Sequence, residues 1–271
     1  MIRKTFVHIA GLGAQTERQL WESGCDDWSV FLDQLETLSI GTASKEVARR
    51  EIRRSMKALE TGEHQYFARK LKQKNAWRAF PAFRHSCAYL DIETDGRATG
   101  DAVTMIGLYD GSGFQCFVQG ENLESFRDAI SNYSMIITFF GTGFDLPMIQ
   151  KRFPDILLDQ IHVDLYPLFR TIGVKGGLKK IEEQFGIVRS PDTIGLTGFD
   201  AVKLWRDHMR GRPGALDRLI AYNREDVVNL EPLALAAYER VMDATLKGES
   251  LDPHQSKPAR SWRSSRPVRG R

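Results

Sequence analysis

No apolar run in this chain approaches the roughly 20 residues that a membrane-spanning helix needs, so a helical membrane protein is excluded. The apolar block within Met1 to Gly13 is too short for a secretory signal. Cysteine is scarce: Cys25, Cys87 and Cys116 are odd in number, widely spaced and without the paired spacing of a zinc site. A disulfide scaffold is thereby excluded, and three isolated thiols suit a reducing compartment. Together these absences predict a cytoplasmic protein whose cysteines act as small buried apolar residues. Acid is missing from Pro253 onward, where Lys257, Arg260, Arg263, Arg266, Arg269 and Arg271 lie among prolines and serines. Of the net charge of +3, six positive charges belong to this stretch, which leaves −3 for the rest. So few apolar residues cannot offset the entropy of ordering, and 253–271 is predicted to be a basic disordered tail. Nucleic acid is a natural partner for its charge, and a purely solubilising role is the alternative.

What is present suffices for a sizeable core: 271 residues with 42% apolar content can hold one good-sized domain and a smaller appendage. Pattern divides the chain into a small helical module over 1–84, an α/β domain over 86–247, and the tail. In the first module Gly11-Leu12-Gly13 precedes a helix through Gln15 to Trp21. Two glycines around one aliphatic residue make a tight turn that leaves N–H groups at a helix start able to meet a phosphate. This resembles the hairpin of a helix-hairpin-helix motif, although the segment before Gly11 is too short for a full first helix. Further on, Ala48, Ile52, Met56 and Leu59 recur at helical spacing beside Arg49, Arg50, Arg53 and Arg54, an amphipathic helix with a basic outer face.

The α/β domain starts with a strand, Cys87 to Glu93, followed by Val103–Tyr109 and Phe114–Val118 joined through Asp110-Gly111-Ser112-Gly113 as a hairpin. A polar helix near 123–131, a buried strand over 135–140, a helix from Asp145 and a strand over 161–165 follow. Strands alternating with helices after an antiparallel meander predict a mixed sheet flanked by helices.

Three pieces of this domain carry candidate chemistry. Asp91 and Glu93 stand two apart on a strand, so both leave one face, while Leu90 and Ile92 leave the other. Two like charges at the end of an apolar strand call for a compensating cation. Asp145 opens a helix after Phe140-Gly141-Thr142-Gly143-Phe144, where helix capping is the simpler account. Tyr222 and Asp226, four apart on a helix, are neighbours beside its apolar stripe, with Glu225 expected to face solvent. Each piece alone is better explained by packing or capping.

Their order on the chain resembles the DEDD exonuclease superfamily. More narrowly it is similar to the DEDDy type, found in the exonuclease domain of family B DNA polymerases and in small bacterial stand-alone ribonuclease H-like proteins. The sister type would place a histidine where this chain has Ala221. The resemblance spans Tyr89 to Leu230, and the small bacterial relatives extend it to the Gly-Leu-Gly turn and to the Trp77-Arg78 to Phe83-Arg84 stretch. It implies a ribonuclease H-like fold with a mixed five-stranded sheet and a metal-dependent 3′-5′ exonuclease working through two ions, Mg²⁺ or Mn²⁺. Asp91, Glu93, Asp145 and Asp226 would be the ligands and Tyr222 would orient the attacking water. DNA or RNA, as a single strand or a 3′ end, would be the substrate, with Gly11, Gly13 and Arg97 as further contacts. Two positions depart from the family pattern: Phe140 stands where asparagine is usual, and Arg97 where an apolar residue is common. A binding protein with this fold and little catalysis is the alternative, as is a nuclease restricted to short oligonucleotides. Asp164 is expected to be structural, and Lys179 and Lys180 to be solvated surface lysines.

Overall fold

The computed structural model describes residues 1–99, 102–249 and 251, and the predicted tail lies outside them. At its centre is one five-stranded sheet, β1 (Cys87–Thr94), β2 (Val103–Tyr109), β3 (Phe114–Val118), β4 (Met135–Thr138) and β5 (Ile161–Asp164). The spatial order is β3-β2-β1-β4-β5. The first three strands pair antiparallel and β4 and β5 add on in parallel, as a meander followed by crossovers requires. Asp110 fixes the β2–β3 hairpin, its Oδ1 accepting from the N–H groups of Ser112 and Gly113, both at 2.9 Å.

Helices cover both faces. They are α1 (Ala14–Glu22), α2 (Trp28–Gln34), α3 (Lys45–Glu60), α4 (His64–Lys70), α5 (Phe80–Phe83), α6 (Phe126–Ile130), α7 (Asp145–Arg152), α8 (Leu165–Thr171), α9 (Leu178–Gln184), α10 (Gly198–Met209), α11 (Ala215–Val228) and α12 (Leu230–Leu246). Among the described residues no helix is long and apolar enough to cross a membrane. The alternation of β1 divides the core as expected: Ala88, Leu90 and Ile92 pack with Phe126, Ile149 and Phe153, while Cys87 and Tyr89 pack with Leu230, Leu233 and residues from the first 84. Trp28, Phe31 and Phe67 from that N-terminal part are fully buried in the same cluster as Tyr89 and Ile137.

The basic outer face of α3 is partly tied down: Arg54 donates to Glu63 and lies over the ring of Tyr66, and Arg49 pairs with Glu36. Strand β4 stops at Thr138, short of the expected 140. Asp164 explains the early end, since its carboxylate takes the N–H groups of Phe140 at 2.8 Å and Thr142 at 3.0 Å and turns the chain away from the sheet. Asp164 also caps α8 through the N–H of Tyr166 at 3.1 Å, the structural role expected of it.

Candidate metal-binding site

Strand β1 and helix α11 meet face to face, and their acids meet with them. Ligand oxygens of Asp91, Glu93 and Asp226 all lie within 4.8 Å of one another. The register of β1 against β2 shifts between Glu93 and Thr94, an irregularity of the kind that re-aims side chains at the end of a strand. Helix periodicity puts Tyr222, Asn223 and Asp226 on the buried face of α11 together with Leu219 and Val227.

Asp145 begins α7 but does not cap it. The N-cap is Phe144, and the Asp145 carboxylate reaches across to accept the N–H of Ile92 in β1 at 3.2 Å. It stands outside the tight triad, yet its charge is the largest charge effect on Asp91. All four acids are held above the usual carboxylate range, first because burial penalises the charged form; Asp91, Glu93 and Asp145 also feel the charge of neighbouring cluster acids, while Arg189 and Lys179 oppose the rise at Asp226. Asp145 is pushed up to about 7. Such a cluster is unfavourable when every member is ionised, and a bound cation is the natural relief.

Sequence reasoning missed three groups that furnish part of that relief. Asn223 inserts its amide between the strand acids, Nδ2 donating to Asp91 at 2.9 Å and to Glu93 at 3.5 Å. Its Oδ1 has no hydrogen-bond partner. Arg189 is buried, doubly bonded to Glu182 at 2.7 Å, and also paired with Asp226, forming a Glu182–Arg189–Asp226 triad. Although burial opposes its charge, the bond to Glu182 and the charge of Asp226 hold the guanidinium firmly protonated. Lys179, expected as a solvated lysine, is half-buried and donates from Nζ to the Tyr222 hydroxyl at 2.7 Å, lying 4.5 Å from the ring centroid. Desolvation lowers its pKa, while burial and then the charges of Asp226 and Glu93 raise that of Tyr222. The helical position of Lys179, one past the start of α9, carries no signal that could have told it from Lys180.

Glu225 is likewise not free in solvent: it accepts the N–H of Ser190 at 3.0 Å and the hydroxyl of Thr193, tying the loop that carries Arg189 onto α11. Arg97 folds back on its own loop, with Nε 2.7 Å from Asp95. Gly11, in the left-handed region at φ +85°, sits with its Cα side against Ala43, where a Cβ would approach to 3.0 Å, whereas Gly13 is the N-cap of α1.

A model of the RNase H superfamily matches residues 88–238, more than half of the chain and every strand and helix that supplies the acids. The chain belongs to the RNase H superfamily. Among solved structures, this RNase H-like protein is similar to the family B DNA polymerase of the hyperthermophilic archaeon Pyrobaculum calidifontis. That likeness has 20% identity and a TM-score of 0.46, and it covers 61% of this chain and 26% of the polymerase. No curated protein matches the chain. The donor set itself fits hard divalent cations: it is all carboxylate oxygen, with no thiol or imidazole in the triad.

Proposed function

We propose that this RNase H-like chain is a metal-dependent nuclease that hydrolyses nucleic-acid phosphodiester bonds and releases nucleotides from a 3′ end as a DEDDy-type exonuclease. The observation that carries the reading is the convergence of Asp91, Glu93 and Asp226, from a strand and a helix more than a hundred residues apart, to within 4.8 Å. A protein that only bound nucleic acid would gain nothing from clustered negative charge facing a phosphate backbone.

In this reading Asp91, Glu93 and Asp226 hold Mg²⁺ or Mn²⁺, with Asp145 supporting a second ion. When bound, the ions supply the Lewis acidity that activates a water and stabilises the leaving oxygen. Tyr222 orients the water. Lysine has three donors and no acceptor, so the Lys179 contact makes the Tyr222 oxygen the acceptor and leaves the phenolic O–H free to donate into the site. Asn223 holds the two strand acids in register with each other. Phe140 and Phe144, both exposed on the turn before Asp145, offer ring faces to a terminal base, and Arg97, Gly11 and Gly13 are further candidates for strand contact.

The test is incubation of the purified chain with Mn²⁺ on single strands of DNA and RNA labelled at either end, with a chelator control and the Asp91→Ala variant. Laddering from the 3′ end that needs metal and vanishes in the variant is expected. Cleavage at the parental rate in Asp91→Ala would sink the proposal. One observation favours the second reading, a binder with little catalysis: Arg189 already pairs with Asp226. A salt-sensitive complex with no cleavage under any divalent ion would decide for it.

A further inference from the structure

Away from the carboxylates lies a cavity of about 470 Å³ walled by α1, the 3₁₀ segment Gln73–Ala79, α8 and α12. None of Asp91, Glu93, Asp145, Tyr222 or Asp226 lines it. Its volume is in the range of small-ligand sites. Four cationic side chains line it, Arg18, Lys72, Lys74 and Arg78, against two carboxylates, Glu17 and Glu249. Glu17 is already engaged, paired with Arg78 at 2.9 Å and accepting the N–H of Phe6 at 2.6 Å and of Val7 at 3.1 Å. Arg18, Lys72 and Lys74 form no ion pair among the described residues, so the cavity has cationic charge in excess.

Two observations make this more than a basic patch. Arg78 is only 3% exposed and lies near the faces of Trp21 and Trp77 at 6.0 and 5.3 Å, yet its Nε has no hydrogen-bond partner. Leaving a buried guanidinium N–H unmet is costly unless something arrives to take it. Independently, the start of α1 opens on the same cavity through Gly13 and Ala14, and no side chain caps it. A helix start with uncapped N–H groups beside convergent cations suits a phosphate group. The sequence beyond Pro253 carries cations and no acid, so it does not match the charge of the cavity.

A smaller cavity of about 180 Å³ shares Lys74, Trp77, Leu168 and Thr171 with the first and reaches Asp164. Asp164 in turn holds the turn that leads to Asp145. The basic cavity is thus joined, wall to wall, to the segment that shapes the carboxylate site.

The structure assigns this cavity to a phosphate ester of a nucleotide, held by Arg18, Lys72, Lys74, Arg78 and the start of α1, as an anchor separate from the carboxylate cluster. The nuclease reading enters only in naming the anion as nucleic acid; binding itself requires no metal. It is measured in chelator by anisotropy of a fluorescein-labelled single strand and by calorimetry with adenosine monophosphate. The full chain is compared with Lys72→Glu/Lys74→Glu, with Arg18→Glu, and with Arg210→Glu, the residue that follows α10 and lines no part of the cavity, as a charge control. Lys72, Lys74 and Arg18 are exposed at the cavity rim, and thermal melts of the variants check that they fold. Expected is a loss of strand affinity of about 10-fold or more in the cavity variants and less than about 2-fold in the control. A loss in the strand arm alone assigns the phosphate to a polynucleotide, and a loss in both arms extends the site to free mononucleotide. Cavity variants that lose no more affinity than Arg210→Glu overturn the proposal. Asp91→Ala is expected to bind as the parent does in chelator, and a parent chain that keeps cavity-dependent binding but cleaves nothing once Mn²⁺ is added defeats the nuclease reading alone.

Discussion

Asn223 on α11 occupies the space that a side chain on residue 107 would need: a Cβ built on Gly107 would stand 1.8 Å from Asn223 Oδ1. Gly107 pairs with Asp91 across the β1–β2 ladder, so the strand neighbour of the first acid is bare and the asparagine can lie flat between sheet and helix. Gly107→Ala is therefore expected to push α11 off β1 and to part Asp226 from Asp91 and Glu93. Metal affinity measured by calorimetry should fall at least 10-fold, with a stability loss in the range of about 1–3 kcal/mol that overpacking produces. An alanine variant that binds Mn²⁺ as tightly as the parent would show that Asn223 does not set the spacing of the acids.

Lys179 and Tyr222 act as one unit if the lysine aims the phenol. Lys179→Met and Tyr222→Phe should each lower kcat by about 10- to 100-fold, in keeping with the loss of a positioned group, and leave KM nearly unchanged. The double variant should be no slower than the slower single one, because groups that work through one another are not additive. Additive losses would mean that Lys179 acts directly on the substrate.

How much of this was legible in sequence depends on how far apart the partners lie. The alternation of β1, the Asp110 hairpin and the Tyr222–Asp226 spacing are local and were readable from periods of two and of four. The meander and the mixed character of the sheet were readable too, whereas the placing of β4 beside β1 came only with the structure. Asn223 against Gly107, Lys179 against Tyr222 and Arg189 against Asp226 are contacts between segments that no periodicity relates. Arg189 lies in a loop between α9 and α10, held by Glu225, whose role looked like that of a solvent-facing acid. The early end of β4 was hidden for the same reason, because Asp164, on a different strand, takes the N–H of Phe140.

The Glu182–Arg189–Asp226 triad should be costly to break. Removing the guanidinium in Arg189→Met leaves the buried Glu182 and Asp226 with no bonded cation and only the charge of Lys179 nearby, a change of about 3–5 kcal/mol in comparable cases. Asn229, which donates to Glu182 at 3.0 Å, is a neutral partner and cannot replace the charge. Urea unfolding should show this loss in chelator, and saturating Mn²⁺ should restore part of it by binding the freed Asp226. Unchanged stability would mean that the triad is not formed in solution.

Asp145 gives the metal-free protein a distinctive pH dependence. Its carboxyl is raised from 3.8 to about 7 by burial. Well below pH 3.8 it is protonated folded and unfolded, and its contribution is fully present. As pH rises the unfolded chain ionises first, so stability drains away until the folded group also ionises near pH 7. The melting temperature of the parent relative to Asp145→Asn should therefore fall between pH 4 and 7 in chelator and level off above. A difference that rises over this window would mean that Asp145 is held ionised by its bond to Ile92 and not penalised by burial.

Phe140 is the sharpest local anomaly, a phenylalanine at φ +69° with half its surface exposed and its ring edge-on to Tyr166 at 5.3 Å. A left-handed conformation costs an ordinary residue roughly 1–2 kcal/mol, and asparagine tolerates it better. The neighbouring Gly143 is shaped to the ring, since a Cβ there would meet it at 2.8 Å. An exposed aromatic face beside a candidate active site suits a stacking platform for a terminal base. Phe140→Asn should then raise stability by up to about 1 kcal/mol while weakening the binding of a short single strand several-fold, in chelator as well as in metal. Stability gained with strand binding unchanged would leave the ring without a part in substrate binding.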